Sequence, residues 1–154
     1  MLTAEERRVI EHEAGLYPDR RAASIEALKV AARRSGWVSD ESLREVALLL
    51  GMTTAELDAV ATFYNLIHRR PVGRHIIYVC DSVSCWILGC DGVFGALAAR
   101  LGIRPGETTP DGRFTILPIP CLGACDHGPA LQIDGDLHRD VDPAKIDAVL
   151  EKYP

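Results

Sequence analysis

A chain of 154 residues with 47% apolar content has material for one ordinary domain or two small ones with packed cores. Its 17 Lys and Arg against 22 Asp and Glu leave a net charge of −5, which favours a soluble globular protein and supplies no broad basic surface for phosphate, so nucleic acid is not an expected partner. The acidic start, Met1-Leu2-Thr3-Ala4-Glu5-Glu6, resembles neither a secretory signal nor an Arg-rich presequence, and the longest apolar runs fall far short of the roughly 20 residues that span a bilayer, so no direct membrane insertion and a cytoplasmic location are expected.

In chain order, Thr3 and Glu6 have the spacing of a capping box, in which a hydroxyl and a carboxylate satisfy orphan amides at a helix start, and Thr53 with Glu56 repeats it. Between them Asp19 can cap a helix with Ile25, Leu28 and Ala32 on one face, ended by Gly36. Ser39 or Asp40 opens another with Leu43, Val46, Ala47 and Leu50 inward, ended by Gly51. The helix that Thr53 starts turns Leu57, Val60, Ala61 and Tyr64 inward, reads Phe63 and Tyr64 as core rather than interface, and must stop before Pro71. Residues 1–72 thus read as a helical domain.

From residue 73 the period changes. His75-Ile76-Ile77-Tyr78-Val79 is a β-branched and aromatic run ending at Cys80, and a helical stretch with Val93, Phe94, Leu97 and Leu101 follows, closed by Gly102. Strands are expected at 113–117 and 130–133, a hairpin turn at Asp134-Gly135, a return strand at 137–141 and a closing helix at 143–150. This order predicts a mixed sheet with flanking helices over 73–154, and the whole chain is expected to be α+β.

All five cysteines lie between residues 80 and 125, and an odd number in a reducing compartment points to metal or redox chemistry rather than structural disulfides. Cys80 and Cys85 form a C-x4-C pair just after one strand, and Cys121 and Cys125 a C-x3-C pair just after another. If those strands are neighbours, four thiolates converge and can ligate the two irons of a [2Fe–2S] cluster. Gly89, Gly92, Gly123 and Gly128 leave backbone free to approach it. Structural zinc is the main metal alternative, though its sites usually use C-x2-C pairs. Cys85 and Cys90 also have the C-x4-C spacing, so spacing leaves the first pair open; Cys90 otherwise reads as a small buried residue at a helix start, and His127 as a loop residue beside the site. No G-x-G-x-x-G motif marks a nucleotide site on this chain.

Six separated segments, Gly36-Trp37-Val38, Val60-Ala61-Thr62-Phe63-Tyr64, Pro71-Val72-Gly73-Arg74-His75, Cys80-Asp81-Ser82-Val83-Ser84-Cys85, Gly112-Arg113-Phe114 and Cys121-Leu122-Gly123-Ala124-Cys125-Asp126, resemble the E-subunit family of bacterial NADH:quinone oxidoreductase, respiratory complex I. The resemblance runs from about Tyr17 to the C-terminus. It implies an N-terminal helical bundle followed by a thioredoxin-like [2Fe–2S] ferredoxin domain, with one cluster on Cys80, Cys85, Cys121 and Cys125 and without Cys90. It further implies partners: the F-type, FMN- and NADH-binding subunit of the same complex, and the other iron-sulfur subunits of the peripheral arm, at the cytoplasmic face of the inner membrane. A cis bond before Pro129 is expected from the same likeness. Related readings are the equivalent diaphorase subunit of an NAD-dependent formate dehydrogenase or hydrogenase, a free ferredoxin, and a zinc-stabilised interaction module.

Overall fold

The computed structural model describes all 154 residues, which divide into two compact units, Met1–Pro71 and Val72–Pro154. The first unit is helical. Helix α1 (Ala4–Gly15) and helix α4 (Thr54–Phe63) both open with complete capping boxes, Thr3 with Glu6 and Thr53 with Glu56. Ser39 caps α3 (Asp40–Leu50), whose Leu43, Val46, Ala47 and Leu50 are buried and which ends on Gly51 at φ 67°, a left-handed position that glycine takes without a Cβ penalty.

Two expectations for this unit need correction. Asp19 does cap, but it caps a 3-10 turn, Arg20–Ala23, by accepting from the Arg21 amide at 3.0 Å; α2 (Ser24–Ala32) starts only after Ala23 leaves α geometry at ψ 4°. Its buried face is Ala27, Leu28, Val30 and Ala31, so Ile25 and Ala32 are only partly covered. Phe63 and Tyr64 are not core: Phe63 is 80% exposed, because two positions after buried Ala61 it lies on the opposite face of α4, and Tyr64, where the chain turns extended at ψ 103°, meets it edge to face at 5.2 Å. Arg69 secures the tail of the unit through Asp58 and Asp40, each at 2.6 Å, and the Val38 carbonyl.

The second unit is built on a four-stranded sheet of order β2-β1-β3-β4. Strand β1 (His75–Cys80) pairs in parallel with β2 (Phe114–Ile119) and antiparallel with β3 (Leu131–Ile133), which turns at Asp134-Gly135 into β4 (Asp136–His138). The positive φ at both turn residues, 51° and 94°, suits a two-residue hairpin. Pro118 is tolerated within β2 because β2 is the edge strand. Helix α6 (Cys90–Leu101) crosses between β1 and β2, and its Val93 and Leu97 pack with Ile77, Ile116, Leu131 and Ile133 of the sheet and with Ile146 and Leu150 of α7 (Ile146–Leu150).

Three local differences stand out. The return strand stops at His138, since Asp140 takes φ 48° and breaks the extended run. The closing helix divides into a 3-10 turn, Pro143–Lys145, capped by Asp142, and then α7. The first cysteine loop is not all loop, for Val83–Ile87 forms a short helix, α5. The Gly128–Pro129 bond is cis, as expected.

Candidate metal centre

Parallel pairing sets Cys80 beside Ile119, so the chain leaves both strands at the same end of the sheet. Cys121 lies two residues beyond β2, and α5 returns Cys85 to the same end. The Cys80 amide donates to the Ala130 carbonyl at 3.0 Å and the Asp81 amide to the Ile119 carbonyl at 3.2 Å, which ties the roots of both cysteine segments to the sheet. Cys80 and Cys85 are each 2% exposed, whereas Cys121 and Cys125 are at the surface.

The thiols stand as two pairs. Cys80 and Cys85 share a hydrogen bond, and the Cys121 and Cys125 sulfurs are 3.6 Å apart. Cys121 is a non-glycine residue at φ 71°, a left-handed conformation that costs an L residue about 1 kcal/mol. That turn aims amides inward: the Gly123 N–H donates to the Cys121 sulfur at 3.3 Å, and the Cys121 and Leu122 N–H groups reach the Cys80 sulfur. The second pair's backbone therefore solvates the first pair's sulfur. Ser84 adds a bond to Cys125 from the α5 side.

These contacts set opposite tendencies on neighbouring sulfurs. Burial pushes the Cys80 thiol up, yet amides of Ser82, Leu122 and Cys121 and the Cys85 thiol together hold it below its ordinary value. Burial, then the hydrogen bond that its thiol donates to Cys80, pushes Cys85 up to about 11. The bond to Cys121 raises Cys125. Cys90 is buried at the first residue of α6, packed with Cys80, Cys85, Ala124 and Ala130, and burial followed by nearby Asp91 raises it. His127 lies in the loop beyond Cys125 and hydrogen-bonds Asp140 through Nδ1 at 2.9 Å.

The donor set fits a [2Fe–2S] group better than a single ion. Two thiol pairs linked by amides match two irons with hydrogen-bonded sulfurs, and both spacings are wider than the C-x2-C pairs usual for one tetrahedral ion. Gly128 keeps space beside the pair: a Cβ there would stand 3.2 Å from the Cys85 sulfur. The four thiols that sequence reasoning proposed stand in these two pairs; it missed Ser84, the amides of Ser82 and Leu122, and the α5 helix. Only the Val83, Trp86, Ile87 spacing, i, i+3, i+4, hinted at that helix.

Comparison with known proteins agrees with this chemistry. The profile of the thioredoxin-like [2Fe-2S] ferredoxin family matches residues 10–154. The E subunit of NADH-quinone oxidoreductase from Escherichia coli K12 is 51% identical over 152 residues, 99% of this chain and 92% of that protein. The protein of the same name from Pseudomonas aeruginosa is 51% identical over 153 residues, with the same shares covered. Among solved structures, an NAD+-reducing [NiFe]-hydrogenase in the H2-reduced state aligns at TM-score 0.71 and 29% identity, over 85% of this chain and 22% of that one. A cysteine site rooted on adjacent parallel strands, a profile match over nearly the full length and relatives at half identity lead to one conclusion: the chain belongs to the thioredoxin-like [2Fe-2S] ferredoxin family.

Proposed function

We propose that this chain is the electron-transfer subunit of an NADH-quinone oxidoreductase, with one [2Fe–2S] cluster on Cys80, Cys85, Cys121 and Cys125. The observation that carries the reading is the meeting of two thiol pairs at one end of the parallel β1–β2 pair, with amides of the second segment on the sulfur of the first. Half identity to the E-subunit proteins of that enzyme over almost the whole chain supports the assignment to the complex.

Bound there, the cluster supplies storage for a single electron. The chain's residues provide the rest: Cys80 and Cys85 form the dry side of the site, Cys121 and Cys125 the outer side, and backbone N–H groups offset negative charge on sulfur, which moderates the low potential such centres have. No side chain is required for acid–base or nucleophilic work. We read the partner as the F-type chain that binds FMN and NADH and exchanges an electron with this one, within an assembly that includes other peripheral-arm iron-sulfur subunits at the cytoplasmic face of the inner membrane. No single helix here is long and apolar enough to cross a membrane. We also read 1–72 and 73–154 as separate domains.

The test is iron, zinc and acid-labile sulfide content together with EPR after dithionite reduction, on anaerobically purified protein. Two irons, two sulfides and a rhombic signal, kept in Cys90→Ser and lost or altered in Cys121→Ser, are expected. One zinc without sulfide defeats the reading. The likeness to the NAD+-reducing hydrogenase favours a second reading, the equivalent diaphorase component of such an enzyme. The proteins that co-purify, quinone-linked or hydrogenase subunits, separate the two.

A further inference from the structure

The segment that carries the outer thiols has little packing to hold it. Residues 121–129 form no helix or strand, and Ala124 alone among them is buried. Cys121 and Cys125 stand at the surface, and Cys121 takes φ 71°. A segment with so few buried contacts opens readily unless hydrogen bonds fix it.

Those bonds come from the turn after β4. The Asp140 amide donates to the His127 carbonyl at 2.9 Å, and His127 Nδ1 returns a bond to the Asp140 carboxylate at 2.9 Å. One residue on, the Val141 amide donates to the Pro129 carbonyl at 2.9 Å. Inside the loop the His127 amide donates to the Ala124 carbonyl at 3.0 Å, so the clasp reaches back to the residue beside Cys125. Its footing is fixed: Val141 is buried in the sheet's core with Ile133 and Ile146, and Asp142 caps the turn that follows. Asp140 itself takes φ 48°, a left-handed conformation that aspartate and asparagine tolerate better than most side chains.

We infer that Asp140 and His127 are positioning residues for the outer thiol pair: their reciprocal bonds clasp the loop so that Cys121 and Cys125 stay aimed at the metal. The inference rests on the electron-transfer reading above and adds residues outside the ligand set that keep the cluster in place. The pair acts through the backbone of 124–127, which sets where the Cys125 sulfur stands. Through the same loop it steadies the Cys121 and Leu122 amides that reach the Cys80 sulfur. Both side chains are exposed, so a modest effect is expected, and it falls on opening of this loop rather than on the fold.

The experiment follows iron release from anaerobic full-length holoprotein under excess chelator at fixed pH and salt, with EPR after dithionite reduction and hydrogen exchange of the same samples. Asp140→Gly keeps the left-handed backbone and removes the carboxylate; it should release iron at least about threefold faster than wild type and alter the EPR line shape. His127→Ala should do the same, and the double variant should be no faster than either single one, because the two residues act as a unit. Asp140→Asn keeps an acceptor without the charge and should stay within about twofold of wild type. Exchange should quicken at 121–129 and stay unchanged in β1 and β3. Should Asp140→Gly fail to fold, His127→Ala carries the same expectation. Release at the wild-type rate in the folded variants overturns the clasp and leaves the electron-transfer reading standing. Asp140→Asn as fast as Asp140→Gly makes charge rather than the bond the cause and overturns the inference, and so does exchange that quickens throughout the sheet, the mark of a general stabiliser. A wild type without iron and sulfide defeats the underlying reading, and the inference falls with it.

Discussion

Gly128 makes a close approach to a proposed ligand: a methyl group there meets Leu88 Cδ1 at 3.0 Å and the Cys85 sulfur at 3.2 Å. The leucine methyl can yield, but the sulfur is rooted in α5, so Gly128→Ala should cost about 1 to 2 kcal/mol of stability and displace Cys85. A shifted EPR line shape with a lowered melting temperature is the expected pair of results; an unchanged spectrum means the loop absorbs the methyl. Gly73 is less forgiving, because its Cβ position lies 2.9 Å from the Arg113 carbonyl oxygen and 2.9 Å from the Phe114 carbonyl carbon, both backbone. Gly73→Ala should therefore separate the starts of β1 and β2 and destabilise by about 2 to 3 kcal/mol in a denaturant titration. At this scale the C-x4-C and C-x3-C pairs were visible as spacings, and the structure sets Cys80 with Cys85 and Cys121 with Cys125. The amides that serve them were not visible, because they depend on Cys121 adopting φ 71°, and side-chain identity does not announce a left-handed non-glycine residue.

Among the elements, α4 offers the clearest test of a reading made from sequence. Its capping box is complete, so Thr53→Ala should cost about 1 kcal/mol in thermal or chemical melts. The same box makes the helix sensitive to acid. The Thr53 amide, its hydroxyl and Arg21 hold the Glu56 carboxyl below its ordinary value, so its contribution is fully present above the unfolded value and is lost as pH falls through the lower folded one. Glu56→Gln should flatten the pH dependence of stability in that acidic window, followed by denaturation at stepped pH. Capping boxes, the β1 run and the Asp134-Gly135 turn could be read in advance because each is set by neighbours within four residues. Helix α5 was harder to read, for its five residues offer a single i, i+3, i+4 set and that apolar face points away from any core. Phe63 and Tyr64 misled because aromatic type implies burial only on average: Phe63 lies opposite the buried Leu57 and Ala61 face, and the helix ends before Tyr64.

For the molecule as a whole, the separate cores decide how loss of metal is felt. The cysteines pack with Ala124 and Ala130 in the second unit, while the apolar cluster of the first unit, centred on Leu28, Leu43, Leu50 and Leu57, contains none of them. Removing iron with a chelator under reducing conditions should lower protection of residues 72–154 in hydrogen exchange and leave 1–71 nearly unchanged. Uniform loss across both units would show that they unfold as one. The α+β order was legible at this scale, since a helical period gives way to alternating strands near residue 73. The antiparallel addition of β3 to β1 across more than fifty residues is a long-range choice that no window of sequence contains.

The unequal depth of the two thiol pairs also governs how the free chain ages in air. Cys121 and Cys125 sit at the surface with sulfurs 3.6 Å apart, while Cys80 and Cys85 are sheltered. In iron-free protein, dioxygen should take two electrons and two protons from the outer pair and close a Cys121–Cys125 disulfide before it reaches the inner one. Such protein would refuse iron until a dithiol reopened the bridge, and peptide mapping with and without reduction would reveal it. Handling history, not sequence, would then decide whether a preparation is coloured.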